Sequence, residues 1–357
     1  MLNRNLSLSL LGLLVLPFAF AQQPSTGAPA QQAAAPPLAS RPAPSAAPAA
    51  PAAATETVFT PTPADKTPKP AQFSYYGTEQ SDLQNQLLPI PATDADRFKR
   101  LQDAFAKNNC TPARMHVEAV QDKHSDLQNL VCTWTGRSPD TIVVVAHYTL
   151  EGKGQAAIDN WTGAAMLPSL FLAIQNQQRA NSWAFVETAG KKGDSEYVKS
   201  LSHDDKKNIR AVIAVEGLGV GSGLRFYSPS DTPDPSPAAY HLQLALLFSA
   251  TSDNEVSSAQ PTNPSRWLAV DDTTPFRYSE APSIIVHSVP QDEADLPGSA
   301  KDVASAIDLN AYDANYKALA IFVVALDSVA DKLNKDDKLW GTQSGYRLNI
   351  NDLPYIH

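Results

Sequence analysis

One histidine and several carboxylates stand shortly after the apolar stretches that the sequence predicts to be strands. They are His147, Asp159, Glu187, Glu216 and Asp272. Because ligands of open α/β sheets bind at the carboxyl ends of the strands, we expect these side chains to lie close together. Imidazole and carboxylate groups bind divalent metal ions, and a further carboxylate can take the proton of a metal-bound water. The set is therefore typical of a metal-dependent site, although polar residues end strands in α/β sheets of every function.

The elements that must position this set begin with a run of β-branched residues at 141–145, which predicts a strand buried on both faces. His147 ends that strand, and Asp159 opens an apolar helix that runs to about residue 178. Apolar segments of strand length and helix length then alternate, so we predict an α/β domain with a mostly parallel, twisted sheet flanked by helices. The other predicted strands are 115–120, 130–134, 183–186, 209–215 and 284–286, and the other predicted helices are 94–107, 197–201, 238–250 and 310–333.

The first 21 residues have the three parts of a secretory signal peptide. Arg4 supplies a positive charge, residues 6–20 are apolar, and Ala19-Phe20-Ala21 is a cleavage pattern that places the cut before Gln22. The apolar part is short for a bilayer span, and no later stretch is apolar enough to cross a membrane. We therefore predict cleavage after Ala21 and a secreted or periplasmic protein, with an uncleaved membrane anchor as the alternative.

Two further regions follow the predicted signal peptide. Residues 22–72 are rich in Ala, Pro, Ser and Thr and hold few large apolar side chains, which predicts a disordered tether. Residues 73–357 show no second boundary and no internal repeat, so we predict one domain there, entered through an irregular arm at 73–90. The net charge of −9 and the absence of a basic run argue against a nucleic-acid partner.

The chain has two cysteines, Cys110 and Cys132. Two are too few for a disulfide-dense scaffold or for a zinc cluster of cysteines. An oxidising compartment outside the cytoplasm permits a disulfide between them, but the sequence does not supply the Cβ geometry on which the bond depends. The pairing therefore stays open at this point.

Five short segments occur in the order and context of one known family. They are His147-Tyr148-Thr149 at a strand end, Asp-Asn-Trp-Thr-Gly at 159–163, Glu-Thr-Ala-Gly at 187–190, Val-Glu-Gly-Leu-Gly at 215–219 and Asp-Thr-Thr-Pro-Phe at 272–276. With this order, residues 95–330 resemble the secreted zinc aminopeptidases that also include animal glutaminyl cyclases (metallopeptidase family 28). The resemblance implies an aminopeptidase-like single domain, of the phosphorylase/hydrolase-like type, and a zinc-dependent peptidase or cyclase activity.

Active members of that family hold two zinc ions around one bridging carboxylate. The resemblance implies that His147, Asp159 and Glu216 would bind one ion here, because all three are competent zinc ligands. It also implies that Glu187 would be the general base that takes a proton from a metal-bound water.

The chain departs from the family where the second ion would bind. A carboxylate and a histidine are needed there, and this chain has Thr188 and Gly298. Thr149 also stands where the family has an aspartate, so we expect the imidazole to lose the carboxylate that would orient it. The substrate cleft would be lined by Trp161, Thr188 and Asp272.

Three arrangements of the site remain open from the sequence. One zinc ion could bind with water completing its shell, or the site could be a metal-free remnant in which Lys191 or Lys192 neutralises the carboxylates. In the third arrangement His287 would help to rebuild a two-metal site. We therefore expect one zinc ion or none, in a degenerate member that binds a peptide, a single metal or an envelope component. The alternative is an active zinc-dependent aminopeptidase or cyclase with rearranged ligands.

Overall fold

The computed structural model describes residues 74–121, 126–227, 260–261, 272–279 and 281–333. Within these residues no helix is both long and apolar enough to cross a bilayer. Three predictions lie outside the described residues, namely the signal peptide at 1–21, the tether at 22–72 and the helix at 238–250.

The described part of the chain contains eight strands that form one mixed sheet. They are β1 (Met115–Ala119), β2 (Gln128–Trp134), β3 (Thr141–His147), β4 (Ser182–Thr188), β5 (Ile209–Val215), β6 (Arg225–Tyr227), β7 (Gln260–Pro261) and β8 (Ser283–His287). Their order in the sheet is β1-β2-β4-β3-β5-β8-β6-β7. The central strands β4, β3, β5 and β8 run parallel, and antiparallel pairs flank them on both sides. The predicted α/β class with a mostly parallel sheet is confirmed.

Six α-helices lie among the described residues and cover the sheet. They are α1 (Gln80–Leu87), α2 (Asp94–Lys107), α3 (Thr162–Ala173), α4 (Gly190–Ser200), α5 (His203–Asn208) and α6 (Leu309–Leu333). Helix α2 begins as predicted, because the Thr93 side chain accepts a hydrogen bond from the Asp96 amide at 3.1 Å. Helix α3 is buried over nearly its whole length, which explains its apolar sequence.

Two helices differ from the sequence prediction. Helix α1 occupies part of the region that was expected to be an irregular arm, and it buries only Leu83 and Leu87. Helix α4 begins at Gly190, whereas the sequence predicted a helix from 197. Both helices are short and mostly polar, so they lack the repeated apolar positions from which a helix is recognised.

The run of β-branched residues in β3 is buried on both faces of the sheet, as predicted. Val143 and Val145 pack into one hydrophobic cluster, and Ile142 and Val144 pack into the other. A Cys110–Cys132 disulfide is present and joins the segment after α2 to β2.

Candidate metal and peptide site

His147 ends β3 with its imidazole between two aspartates. Its Nδ1 atom lies 3.0 Å from Oδ1 of Asp272, and its Nε2 atom lies 3.5 Å from Oδ1 of Asp159. Burial alone would lower the pKa of His147, but the charge of Asp272, the nearby carboxylate of Asp159 and the hydrogen bond with Asp272 raise it well above its ordinary value. In the neutral tautomer that donates from Nδ1 to Asp272, Nε2 presents its lone pair towards Asp159.

Asp159 is held in place by its neighbours rather than by regular helix geometry. The Asp302 carboxylate accepts hydrogen bonds from the amides of Ile158, at 2.6 Å, and Asp159, at 3.2 Å. The side chain of Asn160 donates to the carbonyl of Val215, at 2.8 Å, at the end of β5. These contacts fix Asp159 beside the carboxyl ends of β3 and β5, as the sequence predicted from strand ends alone.

The pair of His147 and Asp159 fits one zinc ion. Zinc binds nitrogen and oxygen ligands at about 2.1 Å, so two ligand atoms of a tetrahedral shell lie roughly 3.4 Å apart. The 3.5 Å between Nε2 and Oδ1 matches that spacing. Nε2 is also buried and has no hydrogen-bond partner among the described residues. The structure does not gather three or more His, Cys, Asp or Glu side chains of the described ranges into one metal-binding group.

Glu216, the predicted third ligand, follows β5 and is buried. Its Oε1 atom accepts a hydrogen bond from the backbone amide of Asp272 at 3.4 Å. Asp272 therefore contacts both His147, through its side chain, and Glu216, through its backbone. This brings Glu216 close to the His147–Asp159 pair, although its carboxylate as a zinc ligand stays a prediction.

Asp272 contacts the imidazole of His147, a role that the sequence did not predict. It was expected to line the cleft, but its side chain is buried and binds Nδ1 of His147. A carboxylate on the outer nitrogen of a zinc-binding histidine fixes the orientation and tautomer of the ring. The carboxylate that is missing at Thr149 is therefore replaced by that of Asp272, which lies 125 positions from His147 in the chain.

Glu187 is the penultimate residue of β4 and pairs with Ala146, one residue before His147, and its side chain is fully buried. Neither of its carboxylate oxygens has a hydrogen-bond partner among the described residues. Burial, followed by the charge of Asp272, raises the pKa of Glu187 well above its ordinary value, and His147 opposes this effect. A nearby cation would act in the opposite direction and favour the carboxylate form of Glu187.

The two positions of the missing second-ion ligands lie beside the same site. Thr188 is fully buried, and the sheet register pairs it with His147. A Cβ atom built on Gly298 would lie 3.5 Å from Oδ2 of Asp159. A side chain at 298 would therefore contact Asp159, and the glycine offers no ligand there.

Trp161, which was predicted to line the cleft, packs in the interior, and its place in the cleft stays a prediction. Its ring is fully buried in the main hydrophobic cluster, and its Nε1 donates to the carbonyl of Leu87 at 2.8 Å. The guanidinium of Arg97 lies over the ring, 5.4 Å from its centroid.

The residues of the other two arrangements lie at the start of α4 and at the end of β8. Lys191 and Lys192 lie in the first turn of α4 with exposed side chains, and their neutralisation of the carboxylates stays a prediction. His287 ends β8, and β5 separates that strand from β3. Burial and the charge of Arg225 lower the pKa of His287 to about 3, and no carboxylate of the site contributes to that shift. The Glu216 amide donates to the carbonyl of Val286 at 2.9 Å, so His287 follows in the sheet beside Glu216. A second ion bound through His287 stays a prediction.

The sequence prediction missed Arg97, which holds the loop that connects the two predicted ligands. Arg97 is fully buried on α2 and donates to the carbonyls of Tyr148, at 3.0 Å, and Ala156, at 3.4 Å. These carbonyls mark the two ends of the loop between His147 and Asp159. Its position four residues before the buried Leu101, on the same face of α2, was the available signal.

Comparison with known proteins gives one family and several related folds. A family model described as peptidase family M28 matches residues 129–323, which is more than half of the chain. No curated protein sequence matches significantly. LapB from Legionella pneumophila has a TM-score of 0.55 at 14% identity, covering 69% of this chain and 70% of LapB. Macrostomum lignano glutaminyl cyclase has a TM-score of 0.55 at 15% identity, covering 70% of this chain and 89% of the cyclase.

One solved zinc aminopeptidase is covered over a smaller part of its length. The alignment with a zinc aminopeptidase from Bacillus subtilis has a TM-score of 0.46 at 17% identity, and it covers 55% of this chain. This chain spans about half of that enzyme, since 49% of its length is covered. At these identities the likeness concerns the fold, and activity has to be argued from the residues of the site.

Proposed function

The chain belongs to peptidase family M28, and from that premise we propose that it is a peptide-binding member that holds one zinc ion instead of two. One observation carries the proposal. A Cβ on Gly298 would lie 3.5 Å from Oδ2 of Asp159, so the position that faces the bridging carboxylate has no side chain to bind a second ion. Thr188, beside His147, cannot replace the missing carboxylate, because a hydroxyl is a poor zinc ligand.

Each residue that would bind or orient the single zinc ion has its own role. His147 and Asp159 would hold the ion, with Glu216 as the proposed third ligand. The ion, when bound, would polarise a carbonyl oxygen or a water molecule. Asp272 keeps the imidazole of His147 in the orientation that points Nε2 at the ion.

The same cleft is suited to the amino end of a peptide. The carboxylates of Glu187, Glu216 and Asp272 are almost fully buried, whereas the side chain of Asp159 is 21% exposed. A protonated amino group that enters the cleft would therefore meet Asp159 first, and its charge is opposite to that of the carboxylate. We expect binding to depend on a free amino terminus, since acylation removes that charge.

Hydrolysis would be inefficient in this arrangement. A second cation in a two-metal site helps to hold the substrate and to stabilise developing negative charge. Without ligands at 188 and 298, this stabilisation is missing, and the cleft can bind a peptide without cleaving it efficiently. We further propose that the protein is exported and that its partner is a peptide or an envelope component.

A second candidate is an active exopeptidase with a single zinc ion. It is favoured by Glu187, which is buried beside His147 and has two unpartnered carboxylate oxygens. Once a cation lowers its pKa, Glu187 could take a proton from a metal-bound water and give it to the leaving amine.

The two candidates are separated by measuring binding and cleavage on the mature chain from Gln22. Calorimetry with trialanine amide and with its N-acetyl form would measure binding, and release of alanine would measure cleavage. We expect the free amine to bind and the acetylated form to bind at least about tenfold more weakly. Cleavage should be no faster than that of a Glu187→Gln variant. Cleavage that this variant abolishes would establish the second candidate, and equal binding of both peptides would overturn the first.

A further inference from the structure

Two buried hydroxyls lie beside the proposed zinc site without partners. Thr149 follows β3 and is 6% exposed, and Thr188 ends β4 and is fully buried. Neither Oγ1 atom has a hydrogen-bond partner among the described residues. The two segments are in contact, because the amide of Tyr148 donates to the carbonyl of Thr188 at 3.0 Å. A buried hydroxyl without a partner is costly, so each of the two indicates a place where a ligand supplies the missing acceptor.

The first turn of α4 borders the same place. The residue before it, Ala189, gives no side-chain cap, and the first turn contains no acidic residue. The amides at a helix start lack partners within the helix and carry a partial positive charge, which favours a negatively charged group. Lys191 and Lys192 in this turn add to that positive potential. We call this place, formed by Thr149 and the start of α4, the hydroxyl corner; Thr188 precedes it in the chain.

Gly190 leaves room for close approach at the hydroxyl corner. Its φ is +63°, and a Cβ built on it would lie 2.9 Å from Oγ1 of Thr149. The hydroxyl of Thr149 is therefore directed at the helix start, where another side chain in place of glycine would fill the space.

The chain places one of its own carboxylates against this helix start. The same Cβ position on Gly190 would lie 2.7 Å from Oε1 of Glu151. Glu151 is half-buried and lies in the loop between β3 and Asp159, with the exposed Gly152 and Lys153 after it. A carboxylate from a surface loop thus occupies the side of the corner that a ligand would reach.

We propose that the hydroxyl corner is a carboxylate-binding subsite of the cleft, covered by Glu151 until a ligand carboxylate displaces it. Its amide and hydroxyl groups can all donate hydrogen bonds, and a carboxylate is the acceptor with the most lone pairs for them. This inference rests on the proposed function, because the carboxylate would belong to the bound peptide. The carboxylate is either the terminal one or that of an acidic side chain.

Calorimetry on the full mature chain tests the subsite with three peptides. They are trialanine, trialanine amide and Ala-Asp-Ala amide, so that the terminal and side-chain carboxylates are measured separately. We expect one of the two acidic peptides to bind about tenfold more weakly to Thr149→Val, which loses one hydrogen bond to a charged group. Thr149→Ser keeps the hydroxyl and should bind as the wild type does. Glu151→Gln removes the competing carboxylate and should bind the same peptide at least about threefold more tightly.

Matched controls are Thr141→Val at the other end of β3 and Glu196→Gln further along α4, which should leave all three affinities unchanged. One outcome would overturn the subsite alone. In it, trialanine amide binds, and each acidic peptide has the same affinity for the wild type, for Thr149→Val and for Glu151→Gln. The proposed peptide binding would then stand. If no peptide binds to any variant, both are overturned.

Discussion

The carboxylate of Asp272 lies 3.0 Å from Nδ1 of His147, although 125 positions separate the two residues in the chain. This contact turns the other ring nitrogen, Nε2, towards Asp159. The orientation of the predicted zinc ligand is therefore set by a residue from a different loop, and not by the position two residues after the histidine.

Replacing Asp272 by asparagine tests this contact. Asparagine can still accept a hydrogen bond from Nδ1, but it removes the negative charge that makes the histidine a better ligand. We expect zinc to bind about 10- to 100-fold more weakly to Asp272→Asn, as measured by competition with a chelating dye. Asp292→Asn, at an exposed position, is the control. An unchanged affinity in Asp272→Asn would contradict a role for this residue in zinc binding.

Restoring both missing ligands should create a second zinc site. A Cβ at 298 would lie 3.5 Å from Asp159, so the double variant Thr188→Glu with Gly298→His returns a carboxylate and an imidazole to the positions beside the bridging residue. We expect native mass spectrometry to find one more zinc ion than in the wild type. The φ of +69° at Gly298 favours glycine, so the histidine should also cost about 1 kcal/mol of stability.

The matched control for that variant is Thr188→Glu with Gly298→Ala, which carries the same backbone strain without the imidazole. It should bind no additional zinc. An unchanged zinc content in the glutamate–histidine variant, with its fold intact by circular dichroism, would mean that Thr188 and Gly298 are not the positions of the lost ligands.

The disulfide should contribute measurably to stability. Cys110 and Cys132 are 22 positions apart, and closing a loop of that length stabilises a folded protein by about 3 kcal/mol in the chain-entropy model. We expect the double variant Cys110→Ala with Cys132→Ala to melt roughly 6 to 12 °C lower. Adding a reductant should lower the melting temperature of the wild type and leave the variant unchanged. Equal melting temperatures for the two oxidised proteins would refute this contribution.

His287 should make the free energy of unfolding depend on pH. Burial and the charge of Arg225 lower its pKa in the folded chain to about 3, whereas the unfolded chain takes up the proton near pH 6.5. Between these values the unfolded state binds more protons, so the free energy of unfolding falls as the pH is lowered from 6.5 to 3. The full effect of this single group is about 5 kcal/mol.

The measurement is denaturant unfolding at several pH values. His287→Asn should show a weaker dependence on pH over this interval than the wild type, because the titrating group is gone. His203→Asn, at an exposed position, should retain the wild-type dependence. The same pH profile in all three proteins would show that His287 is not the responsible group.

The central fold followed from the sequence because its strands are long, apolar and β-branched. The predicted strand at 209–215 matches β5 in both bounds, and the run at 141–145 lies within β3. Helices α1 and α4 did not follow, because most of their residues are polar and their apolar positions are too few to show a helical period.

The site followed from the sequence only in part. Strand ends predicted that His147 and Asp159 would meet, and they do so at 3.5 Å. The pairing of Asp272 with His147 depends on how a distant loop folds, and no local pattern records such a contact. The burial of Trp161 likewise depends on Arg97 and Leu87, which reach it from α2 and α1.

Zinc content tests the central claim most directly. The mature chain from Gln22 would be dialysed against trace zinc and analysed for metal per chain, beside a His147→Ala variant. We predict one equivalent of zinc in the wild type and none in the variant, because Nε2 of His147 is the proposed nitrogen ligand. Two equivalents in the wild type would contradict the loss of the second site at Thr188 and Gly298. No zinc in the wild type would contradict the proposed single site at His147 and Asp159.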